Sequence, residues 1–194
     1  MLYTGKGDNG TTKTFGCDQR VSKSSAIAEA LGSLDEINSF LGLLKIKSAD
    51  EFFDLSDGKL IVFETIDRIQ QDLFIVQAEL AGADKTINEE KVKWLESIIN
   101  GIEKILPPIK TFFVSGGTEL ATLSDISRTI VRRAERRVVG VNEEAKSAQG
   151  GSPKGQVVGV HTLAYLNRLS SILYAFVRAF NHKAGITESS PKYN

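Results

Sequence analysis

Apolar residues recur along this chain at steps of three, four and seven, the period of helices that bury one stripe. Ile27, Leu31, Leu34, Leu41 and Leu44 predict a first helix over roughly 25–46. Leu60, Phe63, Ile66, Ile69, Leu73, Val76 and Leu80 predict a second, which follows the acidic turn Ser56-Asp57-Gly58 and stops near Gly82. Asn88, with Glu89 and Glu90 behind it, reads as the start of a third. Its buried face runs from Val92 through Leu95, Ile98, Ile99, Ile102, Ile105 and Leu106 until Pro107-Pro108 forbids continuation. Leu120, Leu123, Ile130, Ala134, Val138 and Val141 predict a fourth helix, and Leu163, Leu166, Leu169, Leu173, Val177 and Phe180 a fifth. Between them Asn142 to Gly155 is polar, with three glycines and one proline, and reads as a flexible connection or lid. Only Thr111-Phe112-Phe113-Val114 leans towards strand, and no hairpin is expected. The expected fold is all-α, a bundle of about five helices in a single domain, without internal repeats or a coiled-coil heptad.

The charge and composition agree with that picture. In 194 residues, 24 Lys+Arg balance 24 Asp+Glu, and 41% hydrophobic with 25% charged excludes a disordered or fibrous chain. Charged residues break every apolar stretch before the ~20 residues of a membrane span, and MLYTGKGDNG lacks a signal-peptide core, so a soluble cytoplasmic protein is expected. Cys17 alone cannot form an internal disulfide. With only His161 and His182 beside it, there is no thiolate or imidazole cluster for zinc, and no protein-built metal site is expected. Overall neutrality weighs against a general nucleic-acid binder.

Three segments carry candidate chemistry. The first, Thr4-Gly5-Lys6-Gly7-Asp8-Asn9-Gly10-Thr11-Thr12-Lys13, concentrates glycines, threonines and lysines. Glycines let backbone N–H groups approach an anion, threonine hydroxyls add donors, and Lys6, Lys13 and Lys23 supply charge. The Walker spacing is absent, and a mobile arm fits the same composition. The second is Arg128 to Arg137, with five of the nine arginines against one glutamate. At ~100° per residue Arg128, Arg132, Glu135 and Arg136 share one stripe opposite Ile130, Ala134 and Val138, with Arg133 and Arg137 flanking. Guanidinium groups at i and i+4 suit a polyphosphate, and Glu135 can accept from a ribose hydroxyl, although a solvated helix laced by ion pairs has the same sequence. The third is the stripe Asn167, Ser171, Tyr174 and Arg178 on the fifth helix, where Asn167 becomes a nucleotide contact if it faces the arginine ridge. Asp35, set among Leu31, Leu34 and Leu41, needs a partner if it is buried. Of Phe112 and Phe113, one has to point away from any core the other fills, and bulky apolar loop residues of this kind often shape pockets, although ordinary loop packing accounts for the pair as well.

Taken together, Tyr3-Thr4-x-x-Gly7-Asp8-x-Gly10-Thr11-Thr12, Leu34-Asp35-Glu36-Ile37-Asn38-Ser39, Gly116-Gly117-Thr118, Arg128-Thr129-x-x-Arg132-Arg133-Ala134-Glu135-Arg136 and Tyr165-Leu166-Asn167-Arg168-Leu169-Ser170 resemble the PduO-type ATP:cob(I)alamin adenosyltransferases over nearly the whole chain. The resemblance implies a five-helix bundle of the ferritin-like kind, assembled as a homotrimer with ATP and the corrinoid in clefts between subunits. It implies transfer of the 5′-deoxyadenosyl group of ATP to cob(I)alamin. Residues 1–23 become the ATP-binding loop, 24–183 the helical bundle and 184–194 a tail. Carried over by position, Thr4, Gly5, Lys6, Gly7, Thr12, Lys13 and Lys23 enclose the triphosphate with its Mg²⁺, Arg132 and Arg136 hold phosphates, Glu135 takes the ribose side and Asn167 the nucleotide. Arg128 and Asp35 pair across subunits, and Phe112 displaces the lower axial ligand of cobalt. A flavin-type electron donor and a B12-dependent acceptor enzyme are the implied partners, with no nucleic acid and no membrane.

Ser115, Asp125 and Ser171 depart from that pattern, standing where a proline, a histidine and an aspartate are usual. The loss of an acid at Ser171 keeps open a non-catalytic ATP- or corrinoid-binding carrier or sensor. The basic ridge keeps open a helical nucleic-acid-binding module.

Overall fold

The computed structural model describes residues 2–15, 20–147 and 158–193, apart from the side chains of 146 and 147. Five helices form the body: α1 (Ala26–Lys47), α2 (Val62–Leu80), α3 (Glu89–Lys104), α4 (Glu119–Ser147) and α5 (Val160–Lys183). The all-α reading holds. Helix α4 packs on both α1 and α5, α1 also packs on α2, and α5 on α3, so the packing order is α2-α1-α4-α5-α3 with α4 in the middle. The predicted stripes make the core: Leu34, Leu41 and Leu44 of α1, Ile66, Ile69, Leu73, Val76 and Leu80 of α2, Leu95 and Ile102 of α3, Ala134 and Val138 of α4, and Leu169 and Leu173 of α5 are fully buried. Burying each large side chain contributes about 1.5–3 kcal/mol, more than any helix propensity on the chain.

Local signals set the ends. The Asn88 side chain accepts the Lys91 N–H at 3.2 Å and caps α3, as its sequence position predicts. Helix α5 is capped from a distance. Its N-cap residue Gly159 donates its N–H to Glu79 of α2 at 2.8 Å, and the same carboxylate accepts from the Thr162 hydroxyl in the first turn. Buried Asn142 exchanges two hydrogen bonds with the backbone of Val158, tying the start of α5 to α4. Inside the bundle, buried Asp72 pairs with Lys91 and accepts the Tyr165 hydroxyl at 3.1 Å. Burial, with Asp72 beside it, raises the Tyr165 pKa well above its ordinary value.

The chain departs from expectation at four places. Two antiparallel hairpins exist where none is predicted: β1 (Thr11–Lys13) with β2 (Arg20–Ser22), and β3 (Phe52–Leu55) with β4 (Gly58–Ile61). The second takes Leu60 out of the expected second helix, and Gly58 turns it at φ 134°. Tertiary packing holds it in place. Phe53 is buried against Phe180 and Phe176, with ring centroids 5.2 and 6.2 Å away, and Leu55 packs so closely on Gly101 that a Cβ there would lie 2.9 Å from it. Thr111–Val114 forms no strand. The expected connection over 142–155 begins later, because α4 runs on to Ser147, and the rest of that stretch lies outside the described residues.

Candidate functional site

The arginines of α4 divide by partner. Arg133 pairs with Glu36 and Arg137 with Glu29 at 2.7 Å, both on α1, and Arg137 also donates to Ser33 at 2.6 Å. Arg128 donates through Nε to Asp125 one turn earlier, at 2.7 Å. Among the described residues Arg132 and Arg136 have no ion pair and no hydrogen bond. Three of the five guanidiniums therefore behave as a charge-laced helix surface, and two are left available for an external anion. Both lie on one stripe, as the spacing predicts.

Those two face a recess of about 290 Å³ lined by Arg132, Glu135, Arg136, Val139 and Asn167. The Asn167 amide Nδ2 donates to Glu135 Oε1 at 3.2 Å, so the polar stripe of α5 does face the arginine ridge. Arg132 also lines a second cavity of about 960 Å³ along with Arg128, whose walls include Phe112, Phe113, Pro107, Ile109, Leu106, Ser171, Tyr174 and Arg178. Arg132 thus lines both spaces. The larger is within the size range of sites for extended ligands and mostly apolar in its walls.

Phe112 is 81% exposed on the cavity wall, while Phe113 is half-buried beneath the Arg178 guanidinium, 5.3 Å from its ring centre. One aromatic points outward and the other inward, as expected. Arg178 is buried and holds the wall together, donating to Pro107 O at 3.1 Å and to Glu188 at 2.9 Å, while Val114 N donates to Ser189 O at 2.9 Å. Burial raises the pKa of Tyr174, partly offset by Arg178, so its hydroxyl stays protonated on the wall at neutral pH. The turn before α4 is fixed by buried Asn181, which donates to Gly116 O at 3.0 Å and accepts from Thr118 N at 3.1 Å. Gly117, at φ 110°, leaves that amide its room: a Cβ would lie 2.1 Å from Asn181 Oδ1.

The glycine loop is built locally. Turns close from Asp8 N to Gly5 O and from Gly10 N to Gly7 O, with Gly5 and Gly10 at φ 67° and 75°. Lys6 N reaches Thr4 Oγ1 at 3.4 Å, and Thr12 pairs with Val21 in the hairpin, next to Lys13. Gly7 lies against Lys23, whose Nζ would be 3.0 Å from a Cβ there. Arg20, which the sequence reading passes over, staples the hairpin by donating to Thr11 Oγ1 at 2.6 Å, Thr11 O at 2.8 Å and Lys6 O. Its only sequence signal is a lone cation after the glycine run. Among the described residues none of Thr4, Gly5, Lys6, Gly7, Thr12, Lys13 or Lys23 lines either cavity of the same chain. Asp35 is exposed on α1 and so needs no buried partner; Arg128 is held by Asp125. Among the described residues no group of three or more His, Cys, Asp or Glu is placed to hold a metal ion. No described helix is long and apolar enough to cross a membrane.

A single-domain helical bundle with a two-part cleft, one part lined by free guanidiniums and the other by apolar side chains, is the class these features define. Residues 2–180 match the family model for cobalamin adenosyltransferases. The chain is 36% identical to a corrinoid adenosyltransferase of Bacillus subtilis, covering 95% of this chain and 89% of that one. It is 35% identical to the corrinoid adenosyltransferase PduO of Salmonella typhimurium over 99% of its length, spanning 54% of that longer relative. Its fold is similar to that of a PduO-type ATP:corrinoid adenosyltransferase of Lactobacillus reuteri, solved as a phenylalanine variant with cobalamin and ATP: the TM-score is 0.80 at 28% identity, over 100% of this chain and 97% of that one. A second structure of that enzyme, an arginine variant with ATP, gives a TM-score of 0.79 at 27% identity over 98% of this chain and all of the other. The chain belongs to the cobalamin adenosyltransferase family.

Proposed function

We propose that this protein transfers the 5′-deoxyadenosyl group of ATP to cob(I)alamin, giving adenosylcobalamin and triphosphate. One observation carries the reading: the two unpaired arginines, Arg132 and Arg136, line a small recess with Glu135 and Asn167, and Arg132 also lines a large, mostly apolar cavity. The polar recess takes the nucleotide, with its phosphates on Arg132 and Arg136, its ribose hydroxyls donating to Glu135 and its remaining acceptors facing Asn167. The apolar cavity takes the corrinoid, with Phe112 filling the space of the lower cobalt ligand.

In the reaction the Co(I) electron pair forms the bond to C5′ as the C5′–O bond breaks, and triphosphate leaves with that bond's electrons. The substrate supplies the nucleophile, so the protein needs no Ser, Cys or His for the purpose. Its residues position C5′, neutralise the departing charge through Arg132 and Arg136, and keep water from the metal with apolar walls.

The remaining assignments complete this reading. The chain is one domain with a nucleotide arm (1–23), a bundle (24–183) and a tail (184–194). It assembles as a homotrimer. Thr4, Gly5, Lys6, Gly7, Thr12, Lys13 and Lys23 close over the triphosphate of a neighbouring subunit, which accords with a loop that lines neither cavity of its own chain. Asp35, exposed on α1, joins Asp125 on the Arg128 guanidinium of that neighbour; five N–H donors serve two carboxylates. Mg²⁺ accompanies the triphosphate, and no step is routed through it. A flavin-type donor supplies the electron, a B12-dependent enzyme takes the product, and the protein works in the cytoplasm.

A nucleic-acid module is disfavoured, because three of the five arginines are already committed to carboxylates of their own chain. Mixing the protein with ATP and chemically reduced cobalamin, and following the cobalt absorption change, tests the reading. Formation of adenosylcobalamin and triphosphate is expected. ATP bound without any Co–C bond formed would leave the carrier reading in its place.

A further inference from the structure

Asn167 is held at both ends of its amide. Nδ2 donates to Glu135 at 3.2 Å, and Oδ1 accepts from the Arg168 guanidinium at 2.8 Å. The two ends have opposite hydrogen-bonding character, so the flipped amide would set oxygen against carboxylate and NH₂ against guanidinium, two repulsive contacts in place of two attractive ones. Arg168 is fixed in turn from α3, donating through Nε to Glu96 at 2.8 Å. Arg168 does not line either cavity. A purely structural ion pair between α3 and α5 would use Glu96 alone. The second branch of the guanidinium, spent on the neighbouring amide, is what needs a reason.

We propose that Arg168 is a positioning residue that, braced by Glu96, locks the Asn167 amide with its NH₂ group towards the recess. This rests on the recess being the nucleotide site. Locked this way, the wall presents a carboxylate acceptor, Glu135, beside an amide N–H donor left over after Nδ2 has served Glu135. A sugar hydroxyl, which donates and accepts at once, satisfies both. The recess therefore reads the ribose end of the nucleotide at this point and leaves the phosphates to Arg132 and Arg136. Without Arg168 the amide rotates, and the donor is presented for only part of the time.

The test is calorimetric titration of ATP into the full chain without cobalamin, on a double-mutant cycle. Arg168→Gln is expected to weaken ATP binding about fivefold in the wild-type background and to have no further effect on top of Asn167→Ala. A role confined to joining α3 and α5 would lower the unfolding temperature equally in both backgrounds and leave the ATP affinity unchanged. Unchanged affinity, or an undiminished loss in the Asn167→Ala background, would overturn the proposal. Should Arg168→Gln fail to fold, Arg168→Lys carries the same comparison, because it keeps a charge for Glu96 but lacks the second branch that reaches Asn167. If the unaltered protein binds no ATP, the functional reading itself fails and this proposal with it.

Discussion

Replacing Arg132 by alanine should separate the arginines that serve the ligand from those that serve the fold. Arg132 touches both cavities and has no partner among the described residues, so its loss leaves no buried carboxylate orphaned and should not disturb folding. A unit charge 4 Å from one phosphate charge is worth about 1 kcal/mol in water and about 4 kcal/mol at an effective dielectric near 20. Arg132 is exposed in the free chain, but nucleotide and corrinoid together would displace water from it, which favours a value between those limits. Those limits correspond to about fivefold and roughly a thousandfold, and with water displaced the expected loss in kcat/KM lies above the lower one, at about tenfold or more. Arg133→Ala, next along the helix, removes a half-exposed pair with Glu36. It should cost at most about 1 kcal/mol of stability and leave turnover within about twofold. Both variants would be assayed by cobalt absorbance at low and moderate salt. A turnover of Arg132→Ala equal to wild type, or an Arg133→Ala defect as large as that of Arg132→Ala, would refute the division of labour.

Further expectations follow from the cavity walls and the core. Phe112→Ala should bind ATP with unchanged affinity yet fail to give the four-coordinate Co(II) spectrum; an unaltered spectrum removes the residue from the chemistry. Gly117→Ala forces a side chain into Asn181 at a positive φ and should cost about 3 kcal/mol, roughly 6–12 °C in Tm by calorimetry, so a shift under about 2 °C would be inconsistent with that packing. Because burial raises the Tyr165 pKa, the folded state holds that proton after the unfolded chain has lost it, and stability falls as pH climbs above about 10. Tyr165→Phe should cost about 1 kcal/mol at neutral pH, from the hydrogen bond to Asp72, and should flatten part of the alkaline decline in urea melts. An alkaline limb identical in the two proteins would contradict this.

Helices were legible wherever a long run repeated its apolar residues at helical spacing, which is why α1, α3 and α5 fall close to their expected limits. The two hairpins were not. Their strands are only three or four residues long, and what holds β3 and β4 is Phe53 among Phe176 and Phe180, residues more than 120 positions away. Glu143 and Glu144, exposed, and Asn142, buried but spent on the Val158 backbone, concealed the last turns of α4, because none of them continues an apolar stripe. The stripe of Arg132, Glu135 and Arg136 was readable from spacing, whereas whether Asn167 faces it stayed open, because spacing within two helices does not fix how they pack on each other. Which arginines were free was not readable either, since Glu29 and Glu36, which claim two of them, lie about a hundred residues earlier in the chain. Arg20, Arg168 and Glu79 were silent for the same reason: each acts through contacts that only the packed chain creates.

The most direct trial is the structure of the protein with ATP bound. The triphosphate is expected within hydrogen-bonding distance of Arg132 and Arg136, with the sugar against Glu135 and Asn167 and the glycine loop of an adjacent subunit folded over it. A nucleotide bound elsewhere, with both guanidiniums still facing solvent, would contradict the assignment of this cleft.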